Sequence, residues 1–434
     1  MLERGIPRNS SFFCLPMKSY PHFYPIPKSR LLPTLLHWGA KKFPYMAYFE
    51  GNSHAYPQGP FDNLFFAGKT RLTEQELFEK NYPKEKVGVL SYDFKNKIEN
   101  LSSTNTEFFH LPELCFFEPE ISIQLTENGV FSKYQLSDQW LEELEAFAPP
   151  QGGNLTCDVA PQVPKDVYLE KIKIIQNEIR EGNTYEANFC QAYSGEFESW
   201  DPVAAYFRLN ELSKMPFSGL FKAENLWLVS ASPERYLKKC GNQLIAQPIK
   251  GTTKRGQNEA QDTLNQKLLL ESEKERAENL MITDLTRNDL ARVSKTGTVQ
   301  VKELFGIYPL PRVFQMISTV RSELRPESTF RQIIDATFPM GSMTGAPKIS
   351  TMKIIEREET FRRGWFSGAF GWMDEEGDFD FSVVIRSIIA DLDAKKLYFG
   401  VGSAITIDAS AAQEYEECAL KAEAILELLS GKHT

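Results

Sequence analysis

The segment from residue 365 to residue 407 restricts the possible folds more than any other part of the chain. Its sequence, WFSGAFGWMDEEGDFDFSVVIRSIIADLDAKKLYFGVGSAITI, consists of apolar runs rich in β-branched and aromatic residues, separated by the polar segments DEEGD and DLDAKK. Such runs with short polar connections predict strands joined as antiparallel hairpins. Strands and helices also occur in blocks elsewhere, rather than in strict alternation, which predicts an α+β fold.

A long irregular segment divides the chain into two parts. The sequence FAPPQGGNLTCDVAPQVPK (147–165) is rich in Pro, Gly and Asn and has no periodicity, which predicts a linker or a long surface loop. We therefore expect a smaller N-terminal domain over residues 1–150 and a larger domain over residues 165–434. In the larger part, apolar spacing predicts a long helix in LLLESEKERAENLMITDLTRNDLARV (268–293) and a final helix over residues 411–429.

The charge and the cysteine pattern narrow the class of protein. A net charge of −9 and a pI of about 5.4 argue against nucleic acid and against an anionic membrane surface as partners. No run of about 18 apolar residues is present, and the N-terminal stretch lacks the apolar segment of a secretory signal. The six cysteines form no C-x-x-C pair, so we expect free thiols and a cytoplasmic location.

Histidine is absent from residues 111–432, because the five histidines stand at positions 22, 37, 54, 110 and 433. Ser-His-Asp hydrolysis and zinc hydrolysis centred in that region are therefore excluded. A metal ion held there would need carboxylate ligands, which favours a hard cation such as magnesium.

Carboxylates that could hold such a cation occur in two predicted helices. In the final helix, Glu414, Glu417 and Lys421 are spaced so that they share one face. Two carboxylates there could share a divalent ion, although a salt-bridged surface helix explains the same pattern. Glu278 lies near the margin of an apolar helix face, and a solvated position is the alternative for this residue.

Four other places in the sequence have both a functional and a structural explanation. Lys250, in AQPIKGTTKRG, is either a surface charge or a nucleophile, and Glu234, in SASPERYL, is either a turn carboxylate or a general acid. Arg386, in VVIRS, must be paired or face a cavity, so it either binds a ligand carboxylate or forms an internal ion pair. Gly400 and Gly402 lie within a predicted strand, where either a closely approaching ligand or backbone or a β-bulge would account for them.

The segment MTGAPKIS (343–350) has the features of a helix start. We expect Thr344 to cap this helix and Pro347 to lie in its first turn. Free N–H groups at such a start can bind a substrate carboxylate, although most bind only water.

Taken together, these segments resemble the chorismate-utilising enzymes, the family of anthranilate synthase component I, aminodeoxychorismate synthase component I, isochorismate synthase and salicylate synthase. The resemblance is carried by SASPERYL, PIKGT, RAENLMITDLTRNDLARV, GSMTGAPK and EYEECALKA, which occur in this order between residues 165 and 430. The N-terminal part is similar to the smaller domain of the family mainly through GVLSYDF, and residues 1–30 match no known pattern. The resemblance implies an α+β fold with a two-sheet sandwich core and helices on the outside.

The resemblance also implies a Mg²⁺-dependent site for chorismate. Glu278 and Glu417 would be metal ligands, with Glu414 acting through water. Glu234 would protonate the departing C4 hydroxyl, since hydroxide is a poor leaving group without a proton donor and a Lewis acid. The implied substrate-binding residues are Gly251, Thr252, Thr344, Phe366, Arg386, Gly402, Ala404 and Lys421.

Within the family, lysine in P-I-K-G-T is typical of the aminodeoxychorismate synthase branch, whereas the anthranilate branch has alanine. The implied mechanism is attack of neutral Lys250 on C2 of chorismate with loss of the C4 hydroxyl, followed by entry of ammonia at C4. We expect burial near Ile249 and other cations to promote loss of the proton from the lysine. The chain departs from the family at Gln315, where histidine is usual, at Glu186, where amine-forming relatives commonly have glutamine, and at Phe366, which is tyrosine in some relatives.

Three functions remain open at this point. The first is aminodeoxychorismate synthesis for 4-aminobenzoate and folate, and the second is anthranilate synthesis. The third is a non-catalytic subunit that keeps the chorismate pocket but only docks a partner. Because a histidine-free region cannot hold a cysteine–histidine amidotransferase site, we expect ammonia to come from a separate glutamine amidotransferase subunit, and the lyase that completes 4-aminobenzoate to be another protein.

Overall fold

The computed structural model describes residues 20–80, 82–150 and 152–431. The strands are β1 (His22–Tyr24), β2 (Tyr45–Glu50), β3 (Leu64–Gly68), β4 (Thr70–Arg71), β5 (Lys86–Leu90), β6 (Leu114–Glu118), β7 (Ile121–Thr126), β8 (Gly129–Ser132), β9 (Asp158–Pro161), β10 (Glu186–Glu196), β11 (Phe217–Ala223), β12 (Leu226–Ser232), β13 (Arg235–Cys240), β14 (Gln243–Ala246), β15 (Ile249–Lys254), β16 (Gln300–Pro309), β17 (Val313–Glu323), β18 (Gly345–Ala346), β19 (Ala369–Met373), β20 (Phe379–Val383), β21 (Ser387–Asp391) and β22 (Lys396–Ile405). The helices are α1 (Lys28–Lys42), α2 (Glu74–Phe78), α3 (Lys95–Ile98), α4 (Asp138–Ala146), α5 (Lys165–Arg180), α6 (Pro202–Leu212), α7 (Glu259–Glu271), α8 (Glu273–Ala291), α9 (Phe330–Thr337), α10 (Lys348–Glu358) and α11 (Ala411–Leu429).

The strands of the described residues form two antiparallel sheets. The first sheet has 12 strands in the order β1-β8-β7-β3-β2-β11-β12-β21-β22-β10-β18, with β9 also paired to β10. The second sheet has 10 strands in the order β15-β17-β14-β13-β20-β19-β5-β6-β4, with β16 also paired to β17. Helices pack around these sheets, so the α+β fold with a two-sheet core is confirmed.

The alternation of side chains along the strands builds two apolar layers. In β3, Leu64 and Phe66 belong to the core cluster shared with strands of the second sheet, whereas Phe65 and Ala67 belong to the cluster on the other face. Successive residues of a strand point to opposite faces, which explains this division. The second cluster includes residues of α1, α5, α6 and α11, so these helices cover the outer face of the first sheet.

Both sheets contain strands from the two sequence segments. β2 pairs with β11 in the first sheet, and β5 pairs with β19 in the second. The division into two domains between residues 150 and 165 therefore stays a prediction. Each sheet combines strands that precede this segment with strands that follow it. The described residues of the segment before β9 have no regular secondary structure, and the four residues of β9 pair with β10.

Three expectations about local structure are wrong. The long helix over 268–293 is interrupted at Ser272, whose side chain caps α8 by accepting a hydrogen bond from the N–H of Glu275. Thr344 does not cap α10, because Pro347 is the N-cap of that helix and Thr344 ends a short 3₁₀ helix (Gly341–Met343). Cys240 is disulfide-bonded, so the cysteines are not all free thiols.

The four other described cysteines agree with the expectation, since Cys115, Cys157, Cys190 and Cys418 are free and buried. Along the described part of the chain, no helix combines the length and the apolar character that crossing a bilayer requires.

Candidate active site

Two chain segments cross between the sheets side by side, in opposite directions. β12 belongs to the first sheet and β13 to the second, and Glu234 lies in the connection between them. Likewise β20 belongs to the second sheet and β21 to the first, with Arg386 in the connection. The expected hairpin series over 365–407 is therefore divided between the sheets. Its β19–β20 and β21–β22 hairpins form as expected, but β20 and β21 do not pair.

The crossings fix Glu234 as a buried acid. The Glu234 side chain accepts a hydrogen bond from Ser342 Oγ at 2.7 Å, and the residue is only 5% exposed. Burial raises the pKa of Glu234 to about 7, although Ser342, Lys250 and the N–H of Ile249 act in the opposite direction. A carboxyl group with this pKa holds its proton at neutral pH in an appreciable fraction of molecules, as a general acid must.

Lys250 lies in a β-bulge of the second sheet. Ile249 pairs with Ile317 and Thr252 with Gln315, so two residues of β15, Lys250 and Gly251, oppose one residue of β17. Gly251 has φ of +95°, a conformation that favours glycine. The bulge explains why glycine follows lysine in the motif. The extra residue bends the strand next to Lys250, and glycine adopts the backbone conformation that this bend requires.

Asn279 of α8 holds the bulge in place. Its Nδ2 donates to the carbonyl oxygens of Lys250 at 3.1 Å and Met316 at 3.2 Å, and the residue is 1% exposed. The sequence analysis did not select Asn279. Its spacing from the buried residues Ile282 and Thr283 placed it on the inner helix face, where a buried amide requires partners.

The charge state expected for Lys250 is wrong. Burial lowers the pKa of Lys250, but the carboxylates of Glu186, Glu278 and Glu417 more than offset this effect, so the pKa is raised above its usual value. The contact responsible is an ion pair of 2.8 Å between Lys250 Nζ and Glu186 Oε1. The lysine is therefore held as an ammonium ion among acids.

Arg386 is a cation without a fixed partner. The residue has φ of 53° and is partly buried, and among the described residues its guanidinium makes no hydrogen bond or ion pair. Burial lowers the pKa of Arg386 to about 10, while Glu417 and Cys418 act against this shift. A desolvated guanidinium of this kind is suited to bind a carboxylate with two parallel hydrogen bonds. The internal ion pair considered from the sequence is not present among these residues.

The three expected metal ligands lie on α8 and α11. Glu278 and Glu414 share one cation in the structure, because Lys274 Nζ lies 3.8 Å from a carboxylate oxygen of each. Oε1 of Glu278 is buried without a hydrogen-bond partner, and burial raises the pKa of Glu278 to about 7. This oxygen is the one that faces Lys274, and a buried carboxylate oxygen that makes no hydrogen bond and shares a cation with a second acid fits a site for a divalent cation.

Glu417 is the most open of these acids. Its side chain is 48% exposed and forms an ion pair of 2.6 Å with Lys421. Burial acts to raise the pKa of Glu417. The positive charges of Lys421, Lys250 and Lys274 outweigh burial, so the pKa of Glu417 is lowered. Within the described ranges, no three His, Cys, Asp or Glu side chains are grouped closely enough to hold a metal ion as they stand.

The expected substrate-binding backbone lies on β22. Lys421 Nζ donates to the carbonyl oxygen of Gly402 at 2.7 Å, which joins α11 to this strand. A Cβ at Gly402 would lie 2.4 Å from Cys190 Sγ, and one at Gly400 would lie 2.4 Å from the ring of Phe366. β22 pairs with β10 in unbroken register, including Ala404 with Asn188, so no bulge explains the two glycines.

Thr344 and Phe366 are fully enclosed. The Thr344 hydroxyl donates to the carbonyl oxygen of Met340 at 3.2 Å, and its own carbonyl oxygen accepts from the N–H of Asn188 at 2.8 Å. Phe366 is 1% exposed and packs in the core beneath Gly400. Contacts of Thr344, Phe366, Gly251 and Thr252 with a substrate remain predictions.

A buried acid, a lysine on a bulge, a guanidinium unpaired among the described residues and a group of carboxylates are suited to bind and act on a small anionic molecule. The sequence pattern of the chorismate binding enzymes matches residues 42–427, so the chain belongs to this family. The chain is 34% identical over 349 residues to aminodeoxychorismate synthase component 1 of Klebsiella aerogenes, which covers 79% of this chain and 76% of that protein. The resemblance found in the sequence is thereby confirmed.

Other members are similar as well. Anthranilate synthase component 1 of Thermus thermophilus is 31% identical over 355 residues, which is 78% of this chain and 76% of that protein. The crystal structure of anthranilate synthase component I from Streptococcus pneumoniae has a TM-score of 0.72 at 25% identity and covers 88% of this chain and 89% of that one. Overall similarity therefore establishes the family and the fold, and the choice between branches depends on individual residues.

Proposed function

We propose that this chain is an aminodeoxychorismate synthase component 1, which converts chorismate and ammonia to 4-amino-4-deoxychorismate. The observation that carries the proposal is the placement of Lys250 on a partly buried bulge within electrostatic reach of the protonatable Glu234. An anthranilate-forming relative is about as similar in sequence, but the branch that it represents has alanine where this chain has Lys250. A lysine enclosed among acids is expensive to retain in a subunit that only binds a partner.

The residues divide the work in the following way. Arg386 and Lys421 bind the two carboxylates of chorismate, together with the backbone around Gly402 and Ala404. Lys250 attacks C2, the two conjugated double bonds of the ring shift, and the C4 hydroxyl leaves as water with the proton of Glu234. Ammonia then forms a bond to C4, and the bond between C2 and Lys250 breaks.

A magnesium ion is part of the proposal. Glu278 and Glu417 would bind it, with Glu414 acting through water, and the ion would supply Lewis-acid and charge-neutralising chemistry at a substrate carboxylate. Lys274 contacts both Glu278 and Glu414. Binding of the ion would therefore require this lysine to move away from the two acids.

The source of ammonia and the compartment are further parts of the proposal. We expect a separate glutamine amidotransferase subunit to deliver ammonia, because histidine is absent from residues 111–432. The product would serve 4-aminobenzoate and folate synthesis in the cytoplasm.

The product of the isolated chain tests this function. Incubation with chorismate, Mg²⁺ and ammonium should yield 4-amino-4-deoxychorismate, identified by liquid chromatography and mass spectrometry, and a chelator should suppress it. Glutamine should not replace ammonium, since the chain has no predicted site to hydrolyse it. Anthranilate fluorescence in the absence of any lyase would instead assign the chain to the anthranilate branch, and no consumption of chorismate would support a binding subunit.

Substitution of Arg386 tests its role in binding the substrate. We expect Arg386→Gln to raise KM for chorismate about 10–100-fold, because a hydrogen-bonded charge pair contributes about 1.5–3 kcal/mol. Arg287→Ala is the matched control, since Arg287 is a surface residue of α8 that pairs with Asp284. Steady-state kinetics at saturating ammonium measure both variants. An unchanged KM in Arg386→Gln would remove this residue from the substrate site.

A further inference from the structure

Glu186 contacts the catalytic lysine from the opposite sheet. It is the first residue of β10 in the first sheet, whereas Lys250 is in the second. Glu186 is 1% exposed and the Lys250 side chain is 11% exposed, so their 2.8 Å contact is almost sealed from solvent. Among the residues that the structure describes, only Glu186 places a carboxylate within ion-pair distance of Lys250 Nζ.

The second oxygen of Glu186 is free to take a proton. Oε2 is buried and makes no hydrogen bond, so no donor competes for it. Other carboxylates act on Lys250 only at longer range. They come from α8, α11 and the β12–β13 crossing, and they are Glu275, Glu278, Glu417 and Glu234.

The proposed reaction needs an acceptor in this position. Only the neutral amine can attack C2, yet even at an ordinary lysine pKa of about 10.4 roughly one amine in 2,500 is neutral at pH 7, and the raised pKa of Lys250 makes this fraction smaller. Because the Lys250 side chain is 11% exposed, proton transfer to solvent is restricted, and a group already in contact offers the shortest route for the proton.

We propose that Glu186 is the base that takes the proton from Lys250 and keeps it while the lysine is bound to the substrate. This inference rests on the proposed function. The transfer converts the ammonium–carboxylate pair into an amine and a carboxylic acid. Lys250 then forms its bond to C2, and the C4 hydroxyl leaves as water with the proton of Glu234. When ammonia displaces the lysine, C4 carries an ammonium group, Lys250 leaves as a neutral amine and Glu186 returns the proton.

The proton balance closes over one turnover. Glu186 and Lys250 end as they began, whereas Glu234 ends as a carboxylate. One proton from solvent restores Glu234, so that chorismate and ammonium give aminated product and water. No oxidant or other co-reactant is needed.

The rate of adduct formation tests this assignment. Enzyme is mixed with chorismate and Mg²⁺ without ammonia, and the covalent adduct on Lys250 is followed by quenched-flow mass spectrometry between pH 6 and pH 9. We expect Glu186→Gln to slow adduct formation about 100-fold at pH 7, the typical effect of losing a general base. The difference from wild type should shrink as pH rises, because the lysine can then lose its proton to solvent.

Two further variants complete the design. Glu196→Gln, at the exposed end of the same strand, should behave as wild type, since the Glu196 side chain is 76% exposed. Glu186→Asp keeps the carboxylate at a longer distance and should slow the reaction while keeping the pH profile of wild type. If Glu186→Gln does not fold, this aspartate variant decides, because a changed pH profile would refute the assignment.

The outcomes separate the two proposals. Adduct formation by Glu186→Gln at the rate and pH dependence of wild type would overturn the role of Glu186 alone. Absence of an adduct in wild type would overturn the proposed function itself.

Discussion

Replacing Lys250 with alanine should abolish synthesis of 4-amino-4-deoxychorismate, with a fall in kcat of at least about 10³-fold. Removal of the nucleophile leaves the bulge and the substrate carboxylate sites in place, so chorismate should still bind. Wild-type enzyme incubated with chorismate and Mg²⁺ should carry a mass increment equal to chorismate minus water on the peptide that contains Lys250. The alanine variant should carry none.

Lys254 provides the matched control for this experiment. It lies on the same strand, four residues further on, and is exposed. Lys254→Ala should form product at the wild-type rate and keep the adduct on Lys250. Retention of synthase activity in Lys250→Ala would mean that ammonia attacks without a covalent intermediate, as a lysine-independent mechanism requires.

Glu234→Gln should lower kcat by about 10²–10⁴-fold, the range expected for loss of a general acid. Glutamine can still accept the hydrogen bond from Ser342, so KM should change little. The pH dependence gives a second test. Because the pKa of Glu234 is raised to about 7, the carboxyl group loses its proton as pH rises through 7, and kcat/KM of wild type should fall on the basic side.

The variant should lack the part of this basic limb that belongs to Glu234. Glu376→Gln, in the exposed β19–β20 hairpin, is the matched control and should keep the wild-type rate and pH profile. A Glu234→Gln enzyme with wild-type kcat would assign the proton donor to another group, and an unchanged basic limb would show that the limb has a different origin.

Local patterns in the sequence were sufficient for part of this structure. The period of apolar residues predicted α11 over residues 411–429, which are its bounds in the structure. The division of 268–293 into two helices was also readable, because Ser272 and Glu275 have the spacing of an N-terminal capping pair. Thr344 was misassigned as a cap because a threonine three residues before a proline can either start a helix or end a 3₁₀ turn. The local sequence is the same in both cases.

The arrangement of the site depends on contacts between distant segments. Glu186 and Lys250 lie on different sheets, and the sequence contains no local signal of their ion pair. The expected neutral lysine was wrong for this reason, since the outcome depended on which charges the fold brings to it. The sheet crossings at Glu234 and Arg386 likewise follow from pairing of β12 with β21 and of β13 with β20, which local composition does not specify.

The twin crossings have a consequence for how this scaffold tolerates change. The N–H of Val383 donates to the Glu234 carbonyl at 3.0 Å, and the N–H of Ala231 donates to the Arg386 carbonyl at 3.2 Å. These main-chain hydrogen bonds fix the backbone of Glu234 and of Arg386, whatever side chains surround them. The residue at the neighbouring bulge can therefore be exchanged, and the chemistry there changed, while the backbone positions of the acid and the guanidinium stay the same.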